Sequence, residues 1–249
     1  RLRTVTGVQT CALPIYYAGT TIDIVDATTG EVHACQLFVA ALGASSFAYA
    51  EATRTQTLVD WIGAHTRAFA SLGGVVGMVV SDNLKSGITK ACFYEPAVNR
   101  TYSAMALHYD TAIVPARPKK PRDKAKVEQA VLLATRWIIA KLRKRTFFSL
   151  ADLNAAIAVE VAALNARVTR HLGASRRALF EAVERDALKP LPVEPYVFAE
   201  WKQVKAGLDY HVEIDKHYYS VPATLLREKL WARVTARTVE VFHNGSRVA

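Results

Sequence analysis

Two carboxylates, Asp82 and Glu128, stand at points where the apolar pattern of the chain changes. Asp82 follows the short apolar run Val75 to Val80. A carboxylate at the C-terminal tip of a buried strand faces the crevice where α/β sheets take their ligands. Glu128 lies early in a long amphipathic stretch, roughly Asp123 to Arg145. Each residue alone also has an ordinary reading. Asp82-Asn83 is good turn chemistry, and a Glu in the first turns of a helix is favoured by the helix dipole while facing water. Together they suggest a paired-metal site. Clustered carboxylates can hold two Mg²⁺ ions about 3.5–4 Å apart at a phosphodiester, one activating the attacking oxygen and the other stabilising the leaving oxygen. Such a site expects a third carboxylate from the first strand, beside the strand that ends in Asp82.

The surroundings of Glu128 are basic. Arg117, Lys119, Lys120, Arg122, Lys124 and Lys126 lie between Pro115 and Glu128, against the single acid Asp123. Lys85 follows Asp82 closely. Such a run is either a solvated loop or a set of phosphate contacts holding nucleic acid over the carboxylates. Arg176 and Arg177 open another helical stretch and are open to the same two readings. The whole chain carries 32 Lys and Arg against 22 Asp and Glu, a net charge of +10. That excess suits a partner with a phosphate backbone.

The elements that must position these residues follow from hydrophobic period. Thr20 to Val25 alternates, Ala27-Thr28-Thr29-Gly30 is a turn, Val32 to Leu42 is a long apolar run, and Phe47 to Thr53 is a third strand. Leu58, Trp61, Ile62, His65 and Phe69 then recur at helical spacing, with Gly73-Gly74 as the stop. Val75 to Val80 reads as a strand, Tyr102 to Tyr109 as a helix and Thr111 to Pro115 as a strand. Asp123 to Arg145 and Ser149 to Asn165 read as helices, the latter capped by Ser149. The order β-β-β-α-β-α-β-α predicts a mixed α/β sheet flanked by helices, of the RNase-H-like kind. Pro190, Pro192 and Pro195 mark a boundary. Beyond it, Tyr210 to Ile214, His217 to Val221, Leu230 to Ala236 and Thr238 to His243 read as short strands, with Asn244-Gly245 as a hairpin turn. The expected organisation is a catalytic core over 16–170, a helical linker over 171–195 and a small β-barrel-like domain over 196–249. The chain stops at Ala249 as a further strand begins, so that last domain is expected to be incomplete.

Val5 to Ile15, VTGVQTCALPI, resembles residue for residue the translation of a common short-read sequencing adaptor. That resemblance marks residues 1–15 as an artefact rather than evolved protein. The adaptor ends in a T, which would supply the first base of codon 16. Tyr differs from Asp, Asn and His codons in that base alone, so Tyr16 could stand where the natural residue is Asp.

The stretch Asp82-Asn83-Leu84-Lys85-Ser86-Gly87 resembles the second-Asp motif of IstA-type insertion-sequence transposases, members of the DDE integrase superfamily. Pro115 to Glu128 resembles their Glu motif. Leu42-Gly43-Ala44-Ser45-Ser46, Tyr49-Ala50-Glu51-Ala52-Thr53 and His217-Tyr218-Tyr219-Ser220-Val221-Pro222 resemble that family too, so the likeness runs from about 16 to 249. It implies metal-dependent cleavage of DNA at element ends and transfer of the freed 3′-hydroxyls to target DNA. Asp82 and Glu128 would be both catalytic and metal-binding, holding two Mg²⁺ ions, with Mn²⁺ as a substitute. It further implies a helper ATPase, a homo-oligomer on DNA and a bacterial cytoplasmic, nucleoid-associated setting. The departure is Tyr16, which precedes Tyr17-Ala18-Gly19 where the family has its first Asp. Asp23 and Asp26 lie seven and ten residues on, about 23–33 Å along an extended strand. Neither should reach the site, so the chain as written is expected to bind metal weakly and not to cut DNA.

Other chemistries find no footing. The sequence has no G-x-x-x-x-G-K-[ST] loop, no H-E-x-x-H and no Cys/His zinc spacing. Cys11, Cys35 and Cys92 lack paired spacing, which favours a reducing compartment. No apolar run approaches the roughly 20 residues that span a bilayer. Two alternatives stand beside the transposase reading: an RNase-H-like nuclease without strand transfer, and a non-catalytic nucleic-acid-binding protein that keeps the fold.

Overall fold

The computed structural model describes residues 12–81, 96–115, 121–169 and 173–249; of residues 81, 96–98, 115, 121–128 and 130 only the backbone is described. The described residues fall into two compact units, one holding those up to 81 and within 106–195, the other those within 96–105 and 196–249.

The first unit is built on a five-stranded mixed sheet. Its strands are β1 (Ala12–Val25), β2 (Val32–Ala41), β3 (Ala48–Thr53), β4 (Met78–Ser81) and β5 (Ala112–Pro115), in the order β3-β2-β1-β4-β5. The first three form an antiparallel meander, and β4 and β5 run parallel to β1. The longer helices among the described residues are α1 (Leu58–Leu72), α2 (Pro96–His108), α3 (Pro121–Leu142) and α4 (Leu150–Ala166). β2 reads as a continuous apolar run because both its faces are covered. Cys35, Leu37, Val39 and Ala41 join a cluster with Val131, Ala134 and Ile138 of α3 and Leu153, Ile157 and Leu164 of α4. Phe38, on the other face, meets Trp61 and His65 of α1 with ring centroids 5.7 and 5.6 Å apart. Gly73 ends α1 in the left-handed region, φ 72°, where a glycine carries no Cβ penalty.

β3 is an edge strand, and α4 covers its open side with two asparagines. Ala48 donates its N–H to Asn165 Oδ1 at 3.0 Å and accepts from Asn165 Nδ2 at 2.8 Å. Ala52 does the same with Asn154, at 2.6 and 3.0 Å. The asparagines are eleven residues apart, about 16 Å along a helix, and the alanines four apart, about 13 Å along a strand. The amide side chains thus stand in for a sixth strand. Ser149 caps α4, accepting from Asp152 N at 3.0 Å, as the sequence predicts.

His65 is fully buried, with Nδ1 2.7 Å from the Trp61 carbonyl oxygen. Burial lowers its pKa from 6.5 to about 4. Between those values the unfolded chain binds the extra proton, so stability falls as pH drops. The contribution is complete above about pH 6.5 and exhausted near pH 4, and is worth ~3 kcal/mol over the whole window. Denaturant unfolding of the parent chain and His65→Phe should therefore diverge in pH slope between 6.5 and 4 and run parallel above it. Equal slopes throughout would rule out His65 as the source.

The second unit contains β6 (Glu200–Lys205), β7 (His211–Ile214), β8 (His217–Ser220), β9 (Lys229–Val234), β10 (Val239–His243) and β11 (Ser246–Arg247). A four-stranded antiparallel sheet, β11-β10-β9-β6, and the β7-β8 hairpin share one apolar core of Val212, Ile214, Val221, Leu225, Leu230, Ala232 and Val241. Residues 96–105 of α2 belong to this unit. The Arg100 guanidinium lies over the rings of Trp201 and Trp231, 4.2 and 4.7 Å from their centroids. Thr101 Oγ1 accepts from Trp201 N at 2.9 Å. β6 is the strand that sequence pattern misses, since Glu200-Trp201-Lys202-Gln203-Val204-Lys205 has only two apolar residues and is held by its partner β9.

Candidate active site

The β1–β4 ladder ends at the pair Ile15↔Ser81. Tyr16 is the next residue of β1, and Asp82 is the next residue of the chain after Ser81. Tyr16 pairs with Val39 of β2 and shares its face of the sheet. It packs, half-buried, against the cluster containing Val131, Ala134 and Ile138. Glu128 lies on α3 three residues before Val131, so its backbone position extends that same stripe toward the helix N-terminus. Position 16 and the stripe of Glu128 are therefore on one side of the sheet. Asp82, Lys85, Arg117, Lys119 and Lys120 lie outside the described residues. Arg122, Lys124 and Lys126 fall within α3, where only the backbone is described.

The acids near β1 offer no replacement for a carboxylate at position 16. Two residues are inserted into β1 between Ala18 and Thr21, which keeps the alternation in phase, and Asp23 pairs with Ala34 on the opposite face. Asp26 is consumed by the β1–β2 turn, accepting from Thr28 N at 2.8 Å and Thr29 N at 2.9 Å. Those two amides hold its carboxyl below the usual range. Glu51 of β3 pairs with Phe38, hence also on the α1 face. It forms a two-pronged ion pair with Arg67 at 2.7 and 2.9 Å. Among the described residues, no group of three His, Cys, Asp or Glu could hold a metal ion. A phenol at position 16 is a poor stand-in, because Mg²⁺ prefers charged oxygen ligands.

Two segments that carried the sequence resemblance have structural roles. The loop after β2 is closed by Glu184, whose fully buried carboxylate accepts from Ala44 N at 2.9 Å and Ser45 N at 3.0 Å. Phe47 stacks on Phe180 at 4.6 Å in the same corner. Arg176, a candidate for DNA or solvent, faces neither. It is buried and donates to the Leu164 carbonyl at 3.2 Å. The side chain fits there because a guanidinium can keep its charge while its donors meet backbone carbonyls. Arg177 is exposed. His211 and Ser220 meet at 3.0 Å, with Asp209 Oδ2 3.4 Å from the other ring nitrogen. They are direct cross-strand partners on the exposed β7–β8 hairpin, which makes a structural pair of them. Cys35 is a buried free thiol. Among the described residues, no helix is long and apolar enough to cross a membrane.

Residues 191–249 match the family model described as Mu transposase, C-terminal domain. A protein of Sinorhizobium fredii (strain NBRC 101917 / NGR234) assigned as a transposase is 54% identical over 233 residues, covering 94% of this chain and 45% of that protein. A protein of Burkholderia multivorans assigned as the transposase of insertion sequence IS408 is 45% identical over 233 residues, with the same coverages. The chain thus spans about half the length of the curated relatives it matches. Among solved structures, a chain of the simian T-cell lymphotropic virus intasome in complex with PP2A regulatory subunit B56 gamma matches with a TM-score of 0.51. It is 12% identical and covers 96% of this chain and 79% of that one. At that identity the match speaks for the fold alone.

Proposed function

Because the chain belongs to the insertion-sequence transposases, we propose that its first unit is the catalytic core that cleaves DNA 3′ ends at an element's termini and transfers them to a target. The observation that carries this reading is the β1–β4 register. It puts residue 16 next after the pair Ile15↔Ser81 and on the face that carries α3. In this reading a carboxylate at position 16, with Asp82 and Glu128, holds two divalent cations. Bound there, Mg²⁺ or Mn²⁺ would polarise the attacking and leaving oxygens. The chain's own residues hold the DNA. Lys85, Arg117, Lys119, Lys120, Arg122, Lys124 and Lys126 contact phosphates beside the carboxylates. Tyr16 breaks the set, and the chain as written is inactive.

The same reading includes a helper ATPase, a homo-oligomer on paired DNA ends and a cytoplasmic setting at the nucleoid. A nuclease without strand transfer is the weaker alternative, since the match over 191–249 is to a transposase domain. Strand transfer with Mg²⁺ by Tyr16→Asp, compared with Tyr16→Asp/Glu128→Gln, tests the assignment. Activity in the first and none in the second is expected. Equal activity in both would remove Glu128 from the chemistry, and cleavage without joining would favour the nuclease.

A further inference from the structure

The far end of α3 carries a second concentration of positive charge. Lys141 lies in its last turn, and Arg143, Lys144 and Arg145 follow, all exposed. Arg167, just after α4, joins them in space, for it and Lys141 sit over the same ring of Trp137 at 5.4 and 5.2 Å. The Arg145 guanidinium lies 5.0 Å from the Phe147 ring. The segment is pinned by backbone bonds. Arg143 N donates to Ile139 O at 2.9 Å, Arg145 N to Leu142 O at 2.9 Å and Val25 N to Phe147 O at 2.8 Å. Phe148, beside it, is 59% exposed.

These cations are grouped at one end of α3 and α4, and aromatic rings rather than carboxylates hold three of them. Arg67, Lys189, Lys202, Arg233 and Arg247 are each neutralised by a carboxylate. Lys141, Arg143, Lys144, Arg145 and Arg167 form no ion pair among the described residues. Aromatic faces fix three of them, and a ring positions a cation without cancelling its charge. The acids that border the patch do not engage it. Asp26 is bound by its own turn, Glu31 faces His33 at 3.8 Å, and Glu160 offers only its carbonyl, which accepts from Trp137 Nε1 at 3.1 Å. Ordered, exposed, unneutralised cations beside an exposed aromatic are the surface that a phosphate backbone fits.

We propose that this patch is a second duplex-DNA contact, separate from the basic run before Glu128. It rests on the catalytic reading only for its placement along the substrate. Fifteen residues separate Glu128 from Arg143, about 22 Å along the helix. That corresponds to about six base pairs of duplex at 3.4 Å per step. The patch grips flanking DNA that distance from the bond being cut, so that the substrate is held at two points along α3.

The test is salt-dependent binding of the intact chain to duplex DNA, with and without Arg143→Gln/Lys144→Gln/Arg145→Gln. Lys141→Gln/Arg167→Gln serves as a second variant, and thermal unfolding as the check that each is folded. The triple variant should bind about tenfold or more weakly, and its plot of log affinity against log salt should be shallower by about 2 to 3. The difference should vanish on duplexes trimmed to within about six base pairs of the cleavage point. Unchanged affinity and slope in both folded variants, with the parent still binding duplex, would overturn the patch and leave the catalytic reading standing; a patch made for an acidic protein would give that result. Failure of the parent chain to bind duplex at all would also overturn the patch, while the catalytic reading stands or falls on the comparison of Tyr16→Asp with Tyr16→Asp/Glu128→Gln.

Discussion

Tyr16→Asp is expected to convert a chain that binds Mn²⁺ or Mg²⁺ weakly and leaves DNA intact into one that binds the metal tightly and cuts. The gain should be at least about 100-fold in cleavage rate. Charge stabilisation by a bound metal is worth several kcal/mol at the transition state, and each 1.4 kcal/mol is tenfold. The physical reason lies in the face of β1. Residue 16 points to the α3 side with Val39 as its partner. Asp23 lies on the opposite face, Asp26 is spent in a turn and Glu51 is spent on Arg67. A carboxylate introduced at 16 would be half-buried beside apolar side chains, where an unpaired charge is costly. The variant should therefore melt lower than the parent without metal and recover when Mn²⁺ is added, because binding to the folded state alone stabilises it. A melting temperature indifferent to Mn²⁺ in the variant would count against position 16 as a ligand.

Asn154→Leu/Asn165→Leu is expected to cost about 4 kcal/mol. Each leucine leaves one N–H and one C=O of β3 unpaired under α4, at roughly 1–3 kcal/mol per residue after the added apolar contact is set against it. The sites lie about 16 Å apart on the helix, so the two losses should add. For a chain of this size that is a fall of about 10 °C in melting temperature. The exposed strand edge should also promote association of partly unfolded chains. Melting within about 2 °C of the parent would mean that water satisfies those backbone groups and that the asparagines do not guard the edge.

Much of the first unit was legible because its signals are local. The β2 run, the helical spacing of Leu58 to Phe69, the Gly73 stop and the Ser149 cap each depend on residues within a few positions of one another. What stayed hidden depends on distant partners. β6 exists through β9. α2 begins at Pro96 rather than near Tyr102, in a stretch with little apolar period, and Arg100 is held by Trp201 and Trp231, more than a hundred residues on. Arg176 looked like a surface cation because nothing in Ser175-Arg176-Arg177 announces the Leu164 carbonyl that receives it. The charge run Lys141 to Arg145 has the look of an ordinary helix tail; only the rings of Trp137 and Phe147 set it apart. Residues 12–15, read as adaptor-derived, form the start of β1 with Leu13 and Ile15 fully buried. A continuous apolar run meets the needs of a central strand buried on both faces, whatever its origin.

Of the candidate site, the structure gives position 16 and the backbone of α3 through Glu128. The measurement that bears most directly on the central claim is anomalous diffraction from crystals of Tyr16→Asp soaked in Mn²⁺. The proposed carboxylate site requires one or two peaks, a pair being about 3.5–4 Å apart, bounded by the carboxylate at position 16, Asp82 and Glu128. Peaks elsewhere, or none in a crystal whose residue 16 faces α3, would contradict it.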